Sequence, residues 1–321
     1  MLKSVSVALL AMIWSLGVLA QTDNFPTKPI RMIVPFAPGG SVDIISRLIS
    51  PKLGELLGQQ MMVDNRAGAS GNIGTELVAR SPADGYSLLM HTLPFVVNPS
   101  IFAQVPYHPI RAFEPIVLIS SSPSIITVHP GTSLHSIRDL LALARSRPGQ
   151  INYATAGIGT NPHIAGELFN YLGKINLVAV HFKGGGPSLI AAMSGEVSAT
   201  FTNIAETSSF VRSHKLRPLA VTSLTRSKSF PELPTVVEGG LPGYEFVTWF
   251  ALLAPTKTPQ SVIVKINESA RKALHSADIV RLFDDHGLDI IASQPQALAE
   301  HLKKEVERWA RVVKERGMKA E

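Results

Sequence analysis

The sequence has no cysteine in 321 residues. Disulfides, thiol catalysis, cysteine-held zinc and iron–sulfur chemistry are therefore excluded, and core burial alone must hold the fold. Charge is also sparse, at 17% of residues against 45% hydrophobic ones, which marks a globular chain and not a disordered one. Lys and Arg total 30 against 24 Asp and Glu, a net +6. That mild excess favours anionic ligands by steering. It does not point to nucleic acid, because the basic residues are scattered. Their one dense run, over 303–316, alternates with Glu305, Glu307 and Glu315, as a solvated helix face does. Beyond the first twenty residues, no apolar run reaches membrane-spanning length without interruption.

Residues 1–20 differ from the rest. Lys3 gives a positive start, residues 5–19 are almost wholly apolar, and Val18 and Ala20 sit at −3 and −1 of a cleavage before Gln21. This reads as a cleaved secretory signal. The alternative, a membrane anchor, wants about 20 apolar residues. No cysteine follows for lipid attachment. The remaining length allows two α/β domains.

The stretch over 33–48 combines the clearest signals. An apolar run over 30–36 has strand character, Pro35-Phe36-Ala37-Pro38-Gly39-Gly40 makes a turn, and Ile44, Ile45, Leu48 and Ile49 recur at helical spacing after Ser41. In such a strand–loop–helix unit, the free N–H groups of the first helical turn face the loop and suit an anion. A plain βα turn is the other reading of Gly39-Gly40.

Strand and helix then alternate. Helices are expected over 41–57, 73–80, 136–147, 163–172, 187–194, 204–212, 259–276, 277–286 and 295–316. Strands are expected over 61–64, 87–92, 116–120, 124–128, 151–155, 177–182, 197–202, 217–222 and 246–254. The alternation predicts a mostly parallel sheet with helices on both faces. Residues 94–115 and 231–243, rich in Pro and Gly, read as irregular. Crossings near 123 and 247 divide the chain into one domain of 25–123 plus 247–321 and a second of 124–246. Their glycine-rich βα loops lie at strand carboxyl ends, where open α/β sheets bind ligands. A double crossing permits hinge closure.

Catalytic patterns fail one by one. Gly157-x-Gly159 would need a third glycine where Pro162 stands, which argues against a nicotinamide cofactor. Lys183-Gly184 has the wrong order for a P-loop. Gly68-Ala69-Ser70-Gly71-Asn72 lacks the last glycine of a hydrolase elbow. His163 and Glu167 share a helix face but have no third metal ligand at zincin spacing; His163 bonding its adjacent loop is the better reading. His181, beside Phe182, reads as strand packing. Asp43, in a first helical turn, suits the helix dipole and pairs with Arg47 at i,i+4. No nucleophile, acid/base pair, metal set or cofactor site emerges, so an enzyme is not expected.

Three groups of residues then carry a family resemblance: Pro35-Phe36-x-x-Gly39-Gly40-x-x-Asp43, Asn65-Arg66-x-Gly68-Ala69-x-Gly71-x-x-Gly74 and Pro82-x-Asp84-Gly85-Tyr86. They are followed in order by Gly157-x-Gly159-Thr160-x-x-His163-x-Ala165-Gly166-Glu167, Phe182-Lys183-Gly184-x-x-Pro187, Lys215-Leu216-Arg217-x-Leu219-Ala220-Val221-Thr222, Pro234-Thr235-Val236, Pro242-Gly243, Trp249 and Ala254-Pro255. The ordered set resembles the Bug-type solute receptors, the periplasmic binding proteins of tripartite tricarboxylate transporters. The resemblance implies a two-domain, type II-like periplasmic binding fold. It implies a monomeric receptor that closes on a small mono-, di- or tricarboxylate and delivers it to two membrane subunits, or presents it to a sensor kinase. It implies a first jaw of Phe36, Pro38, Gly39, Gly40, Ser41 and Asp43 and a second of Gly157, Ile158, Gly159, Thr160 and His163. Thr92, Thr202 and Asn203 would complete the wall, with backbone groups and waters holding the carboxylate. Many relatives carry Asp where Thr202 stands; its absence here favours a plain carboxylate over an amino acid.

Overall fold

The structure, a computed structural model, describes residues 25–317. The expected signal segment lies outside the described residues. The chain opens with β1 (Ile30–Val34), α1 (Ser41–Leu57), β2 (Met61–Asn65), α2 (Asn72–Ala79) and β3 (Ser87–Thr92). Strand β1 is buried at every position but Arg31. Helix α1 buries Val42, Ile45, Ile49 and Leu53 at three- and four-residue spacing, and Gly58 ends it at φ 73.

Next come α3 (Pro94–Ile101), β4 (Phe113–Val128), α4 (Ile137–Ser146), β5 (Asn152–Thr155), α5 (Asn161–Gly173), β6 (Val178–His181) and α6 (Gly185–Ser194). The chain continues through β7 (Ala199–Asn203), α7 (Ile204–Arg212), β8 (Arg217–Val221), β9 (Val247–Pro255), α8 (Gln260–Leu274), α9 (Ala277–Asp285), β10 (Asp289–Ile290) and α10 (Pro295–Arg316). Among the described residues, no helix is long and apolar enough to cross a membrane.

The strands follow the order β2-β1-β3-β9-β4-β7-β5-β6, with β8 and β10 both paired to β4. The β2-β1-β3 and β6-β5-β7 groups are parallel, as expected. The centre is not. Strand β9 runs antiparallel to β3 and β4, and β4 runs antiparallel to β7 and β8. The sheet is thus mixed, because β4 and β9 cross between the two parallel groups in opposite directions.

Two expectations about proline change here. Residues 94–101 form a helix, not an irregular stretch. Pro94 sits in its first turn, where a missing N–H costs little, and Phe95, Val96, Val97 and Ile101 are all buried. A helix apolar on every side has no periodic signature. Likewise 113–128 is one strand. Pro115 falls at a register shift, and Pro123 falls where β4 leaves β9 for β7. Both are places where ladder bonding is already interrupted.

One core packs β1 and α1 against α8 and α9 through Met32, Ile45, Ile49, Leu53, Ile266 and Phe283. Another joins Tyr153, Phe169, Phe201 and Tyr244 to Trp249, Leu298 and Leu302. These cores fix the strand ends so that the loops leaving β1, β2 and β3 meet those leaving β5, β6 and β7.

Candidate binding site

The loop between β1 and α1 is held from behind. Gly39, at φ +83, donates its N–H to Asp43 Oδ2 at 2.9 Å. Arg47 Nε and Asn65 Nδ2 donate to the same carboxylate at 3.0 and 2.9 Å, and Asn65 Nδ2 also reaches the Phe36 carbonyl at 3.1 Å. Burial works against the charge on Asp43. The Arg47 guanidinium, the Gly39 amide and the Asn65 amide outweigh it and hold the carboxyl below its ordinary value.

The loop between β5 and α5 repeats this arrangement. Gly159, at φ +74, donates its N–H to His163 Nδ1 at 3.1 Å, again four residues on. Thr160 Oγ1 donates to the Gly157 carbonyl at 2.6 Å. Burial, with the neighbouring His181 imidazole adding to it, pushes His163 down to about 4. Its ring is therefore neutral at physiological pH, with Nδ1 free to accept. His181 Nδ1 lies 2.7 Å from Thr155 Oγ1, and its ring meets His163 edge-on. Glu167 accepts from Tyr153 Oη at 2.8 Å and does not join His163 toward a metal. Among the described residues, no group of three His, Asp or Glu could hold a metal ion.

Between these loops lies a cavity of about 530 Å³. Four helices with a glycine or threonine N-cap begin on its wall, α1 after Gly40, α2 after Gly71, α5 after Thr160 and α6 after Gly184, beside Pro94 of α3 and Glu206 of α7. None of these four starts carries a side-chain cap. Elsewhere Ser136 caps α4 and Asn203 caps α7, whereas α3, α8, α9 and α10 also start without a side-chain cap. Uncapped first turns leave N–H donors and positive dipole ends for an anion. A wider surface groove of about 900 Å³ runs along α1 and β2. No helix begins there, so it gathers no such donors.

Contacts cross the cavity. Ser70 Oγ donates to the Ile158 carbonyl. Asn161 Nδ2 donates to Thr92 Oγ1 at 3.4 Å, and the Ser41 N–H donates to Glu206 Oε1 at 2.7 Å. Behind the wall, Thr92 Oγ1 donates to the Trp249 carbonyl at 2.6 Å. Trp249 and Trp309 both donate their indole N–H to Glu305 Oε2, at 3.0 and 3.1 Å.

Of the expected residues, Phe36, Gly40, Ser41, Thr92, Gly157, Ile158 and Thr160 line the cavity together. Asp43, Gly159 and His163 stand behind the loops and shape them, and Pro38 and Gly39 lie outside on the surface. Thr202 and Asn203 are not on the wall. Thr202 is fully buried against the Thr200 hydroxyl. Asn203 Oδ1 accepts from the Ala205 N–H, and its Nδ2 reaches the Ser122 and Pro123 carbonyls. Thr202 therefore says nothing about ligand charge.

Ser70, Lys183 and Glu206 line the cavity and were not anticipated. Lys183-Gly184-Gly185 carried a usable signal, a glycine loop opening a helix at a strand end. Glu206 carried a misleading one. Asn203-x-x-Glu206 has capping-box spacing, which suggests a purely local partner.

Two strand groups joined by paired crossings, with a cavity of helix starts between them, define a periplasmic solute-binding protein. The matches to known proteins agree. The family model for the tripartite tricarboxylate transporter family receptor, TctC, matches residues 45–318, and the chain belongs to that family. It is 36% identical to BugT of Bordetella pertussis over 92% of each chain. It resembles a solved R. palustris protein with adipate (33% identity, TM-score 0.89, 92% of this chain and 99% of that one). It also resembles MatC from Rhodopseudomonas palustris with bound malate (29% identity, TM-score 0.86, 90% and 100%). The family consists of receptors and not enzymes, and its place is the periplasm.

Proposed function

We propose that this chain is the extracytoplasmic receptor that closes on a small carboxylate and delivers it to two membrane subunits of a tripartite transporter. The observation that carries this reading is the convergence of four uncapped helix starts on one cavity bridged from both sides. The cavity suits a small anion held by peptide N–H groups and water. The relatives solved with adipate and with malate support the same ligand class. In this reading, residues 1–20 are a cleaved export signal. Residues 25–123 with 247–321 form one lobe and 124–246 the other. The hinge is where β4 and β9 pair Pro123 with Val247, next to the handover to β7 at Ser124.

A thermal-shift screen of mono-, di- and tricarboxylates against neutral sugars tests it. A ligand at 100 times its Kd adds about 2.7 kcal/mol to folding stability. Shifts with carboxylates and none with sugars are expected. The reverse pattern would overturn the reading.

A further inference from the structure

The cavity contains a carboxylate of the protein's own. Glu206 sits at the third position of α7, where capping-box spacing would turn it back to the Asn203 N–H. Instead its Oε1 accepts from the Ser41 N–H at 2.7 Å, 165 positions away in sequence. The first amide of α1 is thus already occupied by an anion from across the cavity.

The surroundings keep room for this carboxylate. A Cβ on Gly185 would lie 2.5 Å from Glu206 Oε2 and 3.6 Å from the Gly40 Cα, so a side chain there would push the second oxygen from its place. Glu206 lines the cavity with Gly40, Ser41 and Gly185. Among the described residues no ion pair involves Glu206. Burial raises its pKa, with the Ser41 amide pulling the other way.

A ligand carboxylate placed beside Glu206 would bring two like charges into one helix-start site, which disfavours both. The starts of α5 and α6 remain open to it, whereas the first amide of α2, that of Asn72, already donates to the Ala69 carbonyl. The part of the ligand that faces α1 then meets an acceptor, Glu206, and not a donor. We propose that Glu206 selects the ligand: the cavity takes a carboxylate that also bears a hydroxyl or ammonium hydrogen-bond donor, and discriminates against the same acid without that donor. This inference rests on the carboxylate-receptor reading above. It reverses the sequence-based preference for a plain carboxylate, which hung on Thr202. Sites built to bond a ligand's polar hydrogen reject the analogue lacking it, because a buried acceptor is left unpaired.

Calorimetric titration of matched acids tests the proposal: propionate, lactate and alanine; succinate, malate and aspartate; adipate and 2-aminoadipate. In the wild-type chain, a hydroxy or amino member of at least one set binds at least about tenfold tighter than its plain partner. The hydroxy and amino arms tell which donor is used. Glu206→Gln, checked by its thermal midpoint, shrinks that ratio below about threefold and strengthens the plain acid. The wild-type ratio needs no variant to fold. A plain acid that matches or beats its partners overturns this proposal alone, as does a ratio unchanged in Glu206→Gln. Failure of every acid to bind overturns the carboxylate reading and this proposal with it.

Discussion

Gly159 and His163 stand in the same relation as Gly39 and Asp43: a left-handed glycine donates its N–H to the side chain four residues on. One acceptor is a carboxylate and the other a neutral imidazole, so the two loops respond differently to acid. His163 is pushed by burial to about 4, whereas an unfolded histidine takes its proton near 6.5. Its contribution is complete above about pH 6.5 and is lost as pH falls toward about 4, reaching roughly 2 kcal/mol of loss at pH 5. His91, pushed by burial to about 3, adds a loss of the same sign. Urea midpoints should therefore drop between pH 7 and pH 5. His163→Asn keeps an acceptor near the Nδ1 position without the titration, and should flatten part of that slope. An identical slope in the variant would contradict this account. The i,i+4 pairing of Asp43 with Arg47 and the bonding of His163 to its own loop were both legible in the sequence, because donor and acceptor are neighbours in the chain. Glu206 was not, because its partner Ser41 is brought to it only by the tertiary fold.

At the scale of the element, the missing caps are the notable feature. Helix α1 begins after Gly40, which has φ −80 and ψ 165, ordinary N-cap geometry that a serine adopts without strain. Gly40→Ser should leave folding stability within a few tenths of a kcal/mol of wild type, or raise it. Because Glu206 already occupies the first amide of α1 and the ligand's carboxylate goes to the other helix starts, carboxylate affinity should change by less than about threefold. Paired unfolding and binding curves check this; a loss of affinity of about tenfold at unchanged stability would show that α1 donates to the ligand directly. Most helices and strands could be read from apolar spacing and Gly or Pro punctuation. Helix α3 could not, since all of it but Pro99 and Ser100 is buried. Strand β4 was read as two pieces because proline signals a break, yet the fold places Pro115 and Pro123 where ladder bonding already changes.

At the scale of the whole molecule, one place where the two strand groups meet closely is a glycine. A Cβ on Gly184 would come within 2.8 Å of the Ala37 Cβ. Ala37→Leu enlarges the opposite face of that contact without straining either loop. It should hold the cavity ajar, so that small-angle scattering with saturating carboxylate shows a larger radius of gyration than wild type, while the unfolding midpoint of the free chain is unchanged. Equal radii would show that this contact does not limit closure. The two parallel strand groups were legible, since strand and helix alternate within each of them. The antiparallel centre was not, because alternating strands and helices say nothing about strands that arrive by long crossings.

The tryptophan pair behind the cavity has an optical consequence. Trp249 and Trp309 share one Glu305 oxygen, and the Trp249 backbone is tied to Thr92 on the cavity wall. The third tryptophan, Trp14, lies in the segment read as a removable signal. After its removal, all indole emission would come from two rings hydrogen-bonded to one carboxylate behind the cavity wall, so occupancy could be followed by the protein's own light, with no dye attached.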